Sequence, residues 1–361
     1  MTTQSTQTHP ASVFRPDPDG VDPMQVPRVR LAGGATLPAI GMGTFGSDRY
    51  GPAEVAAAVA GGLQVGYRLI DCAEVYGNEA QVGEVIGEAL AGGLPRDELF
   101  VISKVWNDHH APADVARAVR RSLADLRLDH LDAYLVHWPF PHHHGPGADV
   151  AERDPHARPY VHEAFMETWG AMERLVDEGL VRHLGTSNMT IPKLRGVLAD
   201  ARVAPAVNEM ELHPTFQQGE LFQSCLDHDV RPLGYSPLGS PSRPERDRTA
   251  TDLADADLPE VRRIAARRAV HPAVVCLMWA VARGQVPIPF SVRRPQYLTN
   301  LQAVVSDPLT PEEQDSLRGA ERNNRLIKGP VFLWPGAGSW LDLWDVDGTI
   351  PGRDGYGTPA A

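Results

Sequence analysis

The sequence has few cysteines and no long apolar run. Its three cysteines, Cys72, Cys225 and Cys276, are widely spaced in apolar segments. No disulfide framework and no zinc-type spacing appears, so reduced core thiols are expected. The apolar runs are strand-sized, far short of the roughly 20 residues that a membrane span needs, and the amino terminus lacks an apolar signal-peptide core. We therefore expect a cytoplasmic protein with no membrane partner.

Positive charge is also scarce. The 361 residues include 34 Lys and Arg against 46 Asp and Glu, which gives a formal net charge of -12. Such a surface repels phosphate backbones and anionic lipids, so neither nucleic acid nor a membrane surface is expected as a partner. The length exceeds that of a usual domain but suits a single α/β barrel of about 250 residues with insertions.

Strand and helix patterns alternate along most of the chain. Residues 28–41 resemble a small hairpin around Gly33 and Gly34. Helices are predicted at residues 52–62, 79–90, 112–126, 161–178, 191–201, 219–227, 258–268, 272–283, 295–304 and 310–322. About eight strand and helix pairs favour an α/β fold, a single (β/α)8 TIM barrel with an N-terminal β-hairpin and a long C-terminal loop, over an open doubly wound sheet. The predicted organisation is a flexible N-terminal arm at 1–26, a barrel at 27–323 and a C-terminal tail at 324–361.

Ionisable residues stand at the ends of three apolar runs. Asp71 ends Y-R-L-I-D, Lys104 ends L-F-V-I-S-K and His137 ends A-Y-L-V-H, while Tyr76 follows in the turn after Asp71. Because ligands collect at the carboxyl ends of parallel strands, these side chains are candidates for one site. Taken singly, a strand-end Asp or Lys is more often a structural ion pair, but the ordered set favours catalysis.

The chemistry of this set is proton donation. A tyrosine hydroxyl is a weak acid, but a neighbouring ammonium lowers its pKa and a carboxylate can hold that ammonium in place. Asp71, Lys104 and Tyr76 supply this combination, and His137 could orient a substrate oxygen. Since no serine or cysteine nucleophile is placed with them, hydride from a nicotinamide cofactor is the predicted partner reaction.

Five motifs in order resemble those of the aldo-keto reductases. They are D-C-A-E-V-Y-G-N-E at 71–79, I-S-K-V-W at 102–106, V-H-W-P at 136–139, G-T-S-N at 185–188 and Y-S-P-L-G-S at 235–240. The resemblance runs from about residue 28 to residue 323. It implies NADP(H) or NAD(H) as cofactor, bound without a Rossmann glycine motif, which this sequence also lacks.

The resemblance also implies roles for individual residues. Tyr76 would be the general acid, Lys104 and Asp71 would tune it, and His137 would orient the substrate. The implied cofactor-binding residues are Gly43, Thr44, Asp71, Ser187, Asn188, Glu209, Tyr235, Ser236, Leu238, Ser240, Ser291, Gln296 and Asn300. The implied substrate-binding aromatics are Phe45, Trp106, Trp138 and Trp334. The expected partner is a small-molecule carbonyl or alcohol, such as an aldehyde, ketone or sugar, and the expected state is a monomer or small homo-oligomer.

Three positions depart from the family pattern. Glu209 replaces a glutamine that faces the cofactor carboxamide, and an ionised glutamate can only accept hydrogen bonds. Phe290 replaces a lysine that the family usually has around the 2′-phosphate of the cofactor, and Gln296 replaces an arginine near the adenine, although Arg293 and Arg294 could substitute for them. The sequence therefore leaves NADPH and NADH open.

Two features have more than one interpretation. The run His142, His143 and His144 resembles a metal-binding tract, but a solvated loop is favoured and no metal site is predicted. The tail containing Trp334, Trp340 and Trp344 could pack on the barrel wall or form a flap over the substrate, and the flap is slightly favoured.

Two other functions stay open at this stage. One is a cofactor-binding regulatory subunit with slow or no turnover. The other is a barrel hydrolase with a histidine-bound metal, which is weak because only His137 is a well-placed strand-end histidine.

Overall fold

The computed structural model describes residues 13–46, 49–144, 149, 152–241, 243, 248–250 and 252–346. It begins with the predicted hairpin, in which β1 (Arg28–Arg30) pairs antiparallel with β2 (Thr36–Pro38). Residues 1–12 of the predicted arm and 347–361 of the predicted tail lie outside the described residues. The division at residues 27 and 323 stays a prediction.

In the part of the chain that the structure describes, eight parallel strands follow the hairpin. They are β3 (Met42–Gly43), β4 (Leu69–Asp71), β5 (Phe100–Val105), β6 (Leu131–Val136), β7 (Val181–Ser187), β8 (Val207–Glu211), β9 (Arg231–Tyr235) and β10 (Val286–Ile288). Consecutive strands pair from β3 to β10. Gly41 N donates to Pro287 O at 3.0 Å and Gly43 N to Pro289 O at 3.0 Å, so the first strand also meets the last. The (β/α)8 barrel is therefore confirmed.

Ten helices are described. They are α1 (Pro52–Val65), α2 (Glu79–Ala91), α3 (Pro112–Leu126), α4 (His162–Asp177), α5 (Ile191–Asp200), α6 (Gly219–Asp227), α7 (Pro259–Arg268), α8 (Pro272–Ala282), α9 (Arg294–Ala303) and α10 (Pro311–Arg318). Proline in the first turn begins α1, α3, α7, α8 and α10, where its missing N–H costs nothing. The predicted positions of all ten are confirmed, with differences at the ends.

The interior of the barrel is filled by every second strand residue. Leu69, Ile102, Leu135, Val207 and Leu233 form one buried cluster with the hairpin leucines, which close the lower end. Because strand side chains alternate between faces, the next inward positions toward the carboxyl ends are two residues further along each strand. Those positions are Asp71, Lys104, His137, Glu209 and Tyr235.

Part of the predicted flexible arm packs on the barrel instead. Val21 and Val26 are buried, and the backbone of Val21 donates to Val65 at the end of α1. Arg294 pairs with Asp17 at 2.7 Å.

Among the described residues, no single helix is long and apolar enough to cross a membrane. Helices α7 and α8 meet that criterion only as a pair, which is bent by 99°.

Candidate active site

Lys104 is the centre of a buried charge cluster at the carboxyl ends of the strands. Its Nζ lies 2.5 Å from Asp71 Oδ1 and 3.3 Å from Glu209 Oε2, and it donates to Cys72 O at 3.1 Å. All three charged side chains are almost fully buried. Two carboxyl groups thus share one ammonium in the barrel interior.

Tyr76 reaches this cluster from the turn after β4. Lys104 Nζ lies 5.3 Å from the centre of the Tyr76 ring. The His137 ring stands edge-on to Tyr76, with ring centres 5.7 Å apart, and the Trp106 ring packs against His137 at 5.2 Å. The structure therefore brings together all four residues predicted to be catalytic.

Burial sets the protonation of this group. It raises the pKa of Tyr76, and the opposing effect of Lys104 is smaller, so the expectation of a lowered tyrosine pKa is wrong. Burial disfavours the Lys104 ammonium, but Asp71 and Glu209 raise its pKa well above the usual value. Burial and Lys104 together lower the pKa of His137, so its imidazole is neutral. A neutral imidazole can donate one hydrogen bond to a substrate oxygen.

Glu209 keeps a proton near neutral pH. Burial, followed by the charge of Asp71, raises the pKa of Glu209 to about 8. Like charges this close do not both ionise readily. A protonated carboxyl both donates and accepts, as an amide does, so Glu209 retains the donor that an ionised glutamate would lack.

Asn188 is held rigidly beside the cluster. Its backbone adopts a left-handed conformation with a φ of 58°. Asn188 Nδ2 donates to His137 O at 3.0 Å, and Tyr235 Oη donates to Asn188 Oδ1 at 2.7 Å. A fixed amide and an aromatic ring therefore stand next to each other above the barrel.

These residues open into a cavity of about 1020 Å³. Most of the predicted site residues line it: Gly43, Phe45, Asp71, Tyr76, Trp106, His137, Trp138, Ser187, Asn188, Glu209, Tyr235, Ser236, Leu238, Ser240, Ser291, Gln296 and Asn300. The cavity runs from Tyr76 at one end to Gln296 at the start of α9. Its volume is at the upper end of the roughly 300–1,000 Å³ range that is usual for ligand pockets.

Three predicted site residues lie outside the cavity lining. Lys104 is covered by its carboxylate partners. Thr44 is buried and donates to Asp71 O at 2.8 Å, so it supports the backbone of the site. Trp334 does not line the cavity but packs against Phe140, with ring centres 6.1 Å apart, which corrects its assignment as a substrate-binding aromatic.

Phe332 takes the position expected for Trp334. Its ring lies 4.2 Å from that of Trp138 and 5.9 Å from that of Trp106. Ile327, Gly329 and Val331 from the same C-terminal segment also line the cavity. Sequence reasoning missed these residues because the tryptophans were the more conspicuous signal in an aperiodic tail.

Arg293 lies at the α9 end of the cavity lining. Ser291 Oγ donates to Gln296 Oε1 at 2.7 Å and accepts from Arg293 N at 3.0 Å. Arg293 lines the cavity, whereas Arg294 pairs with Asp17 and Asp19 of the N-terminal segment. Of the two arginines considered as substitutes for the missing cations, only Arg293 faces this end.

Known proteins match this chain over most of its length. A family model described as the aldo/keto reductase family matches residues 39–322. An aldo/keto reductase from Synechocystis sp. is 38% identical over 317 residues, which cover 87% of this chain and 95% of that protein. Aldo-keto reductase family 1 member A1 from Bos taurus is 42% identical over 301 residues, 83% of this chain and 90% of that protein.

A solved structure is similar as well. It is an aldo-keto reductase from Bombyx mori in complex with NADP, with a TM-score of 0.74 and 31% sequence identity, covering 85% of this chain and 96% of that one. The resemblance seen in the five sequence motifs is thus confirmed over the whole barrel. This chain belongs to the aldo/keto reductase family.

Proposed function

We propose that this protein is an NAD(P)H-dependent oxidoreductase that reduces the carbonyl group of small aldehydes, ketones or sugars to an alcohol. The observation that carries the proposal is the convergence of Asp71, Lys104, Tyr76 and His137 at one end of an elongated cavity. Structural ion pairs alone would not require a tyrosine and a neutral histidine facing the same cavity.

Tyr76 is the proton donor in this proposal. Its hydroxyl would protonate the carbonyl oxygen while His137 donates a hydrogen bond to the same oxygen and fixes its position. Lys104 stabilises the phenolate that remains, since its ammonium lies 5.3 Å from the ring centre and is anchored by Asp71 at 2.5 Å. The tyrosine is then reprotonated from solvent.

The rest of the cavity fits a nicotinamide dinucleotide. Asn188 and protonated Glu209 carry hydrogen-bonding groups of the kind that a carboxamide pairs with, and the Tyr235 ring would stack on the nicotinamide ring. Such a cofactor supplies hydride to the carbonyl carbon when bound. The relative from Bombyx mori is in complex with NADP, which supports this assignment.

The loop after β9 would hold the phosphates. Ser236, Leu238 and Ser240 line the cavity there. Ser236 and Ser240 have left-handed φ values of 53° and 42°, and Gly239 between them has 69°, so the backbone makes repeated tight turns around this end. Turns of this kind direct backbone N–H groups toward anions. Ser291, Gln296 and Asn300 would contact the adenosine side.

Aromatic side chains shape the substrate end. Phe45, Trp106, Trp138 and Phe332 line the cavity around Tyr76 and His137. An apolar wall around one polar centre suits small carbonyl compounds. The C-terminal segment supplies Phe332, which supports the flap interpretation of the tail over simple packing on the barrel wall.

The proposal is tested by following loss of reduced-nicotinamide absorbance with a reactive small aldehyde, comparing NADH with NADPH. Tyr76→Phe serves as the blank because it removes only the hydroxyl. We expect turnover in the wild type and a loss of about 10²- to 10⁴-fold in the variant, with cofactor affinity nearly unchanged.

Equal turnover in Tyr76→Phe would contradict the mechanism. Cofactor binding without turnover of any aldehyde would instead favour the alternative, a regulatory subunit, which no contact described above supports.

A further inference from the structure

A second polar cluster lies behind the substrate wall, where the loops after β5 and β6 meet. It consists of Asp108, His142 and His144, whose ligand-type atoms all lie within 4.8 Å of one another. His142 was expected in a solvated loop, but it is 1% exposed, whereas His143 is exposed. A buried polar side chain such as the His142 imidazole requires a compensating interaction.

His142 has no such interaction among the described residues. Both ring nitrogens are buried without a hydrogen-bond partner there. Its backbone N–H donates to Asn107 O at 3.0 Å, which fixes the residue, and its ring centre lies 5.0 Å from that of His144 and 5.2 Å from that of Phe332. Unpaired buried imidazoles are uncommon, because each lost hydrogen bond costs about 1–3 kcal/mol.

His144 and Asp108 supply the other two groups. His144 Nδ1 lies 3.1 Å from both carboxylate oxygens of Asp108, and His144 N donates to Asp108 Oδ1 at 2.8 Å. Zinc binds imidazole nitrogen and carboxylate oxygen at about 2.0–2.2 Å, so two of its tetrahedral ligands stand roughly 3.3 Å apart. The observed separation suits coordination to a common ion.

We propose that Asp108, His142 and His144 form a binding site for a zinc-type divalent transition-metal ion, with water completing the coordination. The site lies directly behind the cavity, because Phe332 and Trp106 contact both His142 and the substrate pocket. Bound metal would fix the loops after β5 and β6 to each other and brace these two aromatic walls. The ion would not take part in the reaction itself.

The test uses the untagged full-length chain stripped with a chelator and dialysed against Zn²⁺, with Mg²⁺ as a hard-ion comparison. We expect one Zn²⁺ per chain, a higher melting temperature with zinc and no response to Mg²⁺. His142→Phe keeps an aromatic ring against Phe332 and should weaken zinc binding at least about 10-fold. Asp108→Asn should do the same by removing the negative charge.

His143→Ala is the matched control, since it removes an exposed histidine from the same tract. It should bind zinc like the wild type. Melting curves without zinc establish that each variant folds. Wild-type zinc affinity in both His142→Phe and Asp108→Asn, equal losses in His143→Ala, or no zinc binding by the wild type would each overturn the site.

Discussion

Glu209 Oε2 lies 3.3 Å from Lys104 Nζ, inside a barrel where both side chains are almost fully buried. Asp71 contacts the same ammonium, so this site contains one more carboxyl group than it can keep ionised. The surplus proton is held by the pair Asp71 and Glu209. A glutamine at position 209 would leave Asp71 and Lys104 as a simple ion pair. The additional carboxyl group of Glu209 makes the site sensitive to pH.

The first prediction concerns Glu209→Gln and stability. The pKa of Glu209 is raised from 4.5 to about 8, so between these values the folded chain holds a proton that the unfolded chain releases. Wild-type stability therefore falls as pH rises through this window. Glu209→Gln has no titrating group at this position, so it lacks this pH-dependent change in stability. A change of 1 kcal/mol in the free energy of unfolding shifts the melting temperature by roughly 2–4 °C. The melting temperature of Glu209→Gln should therefore exceed that of the wild type by several degrees at pH 9. Near pH 5 the two melting temperatures should converge.

Thermal melts at a series of pH values check this prediction. Glu88→Gln, on the exposed face of α2, is the control for loss of a carboxylate elsewhere. A pH-independent offset between wild type and Glu209→Gln would contradict the shared-proton arrangement.

The second prediction concerns the coenzyme. Phe290 lines the α9 end of the cavity, and Phe290→Lys should add a charge-assisted hydrogen bond to a 2′-phosphate. At about 1.5–3 kcal/mol for such a bond, the NADPH affinity should rise roughly 10- to 100-fold while NADH affinity changes little. Fluorescence titration with both cofactors measures this, with Phe290→Met as the uncharged control. An equal gain for NADH would show that Phe290 acts through packing rather than charge.

The third prediction separates the two aromatics of the tail. Phe332→Leu shortens a side chain that touches Trp138 and Trp106, so it should raise the aldehyde KM about 10-fold and leave the cofactor Kd unchanged. Trp334→Leu should leave KM nearly unchanged, because Trp334 lies against Phe140 outside the cavity. Steady-state kinetics of both variants show which of the two aromatics contacts the substrate. A larger increase in KM for Trp334→Leu than for Phe332→Leu would assign that role to Trp334.

The barrel and the four residues proposed to be catalytic could be predicted because local patterns encode them. Asp71, Lys104 and His137 end apolar runs, and the alternation of strand side chains places them one layer above the leucines that fill the interior. Proline marks the start of half of the helices. These signals depend on neighbours in sequence.

The features that were not predicted depend on contacts between distant segments. The burial of His142 follows from a hydrogen bond to Asn107 and from contact with Phe332, which is far along the chain. The raised pKa of Glu209 depends on its burial and on the proximity of Asp71, which no spacing reveals. The choice between Phe332 and Trp334 depends on how an aperiodic tail crosses the barrel face. Periodicity carries no information on any of these contacts.

The last prediction concerns the anchor of that tail. Lys193, on α5, is 1% exposed and pairs with Asp345, which also accepts from Thr190. Lys193 donates further to Leu343 O at 3.1 Å. Burial lowers the pKa of Lys193, and Asp345 is the group that favours its charged form. The tail is thus fastened to the barrel by a buried charge pair rather than by packing alone.

Removing one partner of such a pair leaves a buried charge uncompensated, which typically costs about 3–5 kcal/mol. Asp345→Asn should therefore loosen the segment that contains Phe332 before the barrel unfolds. We expect faster amide exchange and earlier proteolytic cleavage at residues 326–346, together with a higher aldehyde KM. Lys193→Met with Asp345→Asn removes both charges and should restore much of the protection, because no unpaired ammonium remains. If the single variant exchanged as slowly as the wild type, the tail would be held by its aromatic contacts, and the ion pair would be incidental to closure of the site.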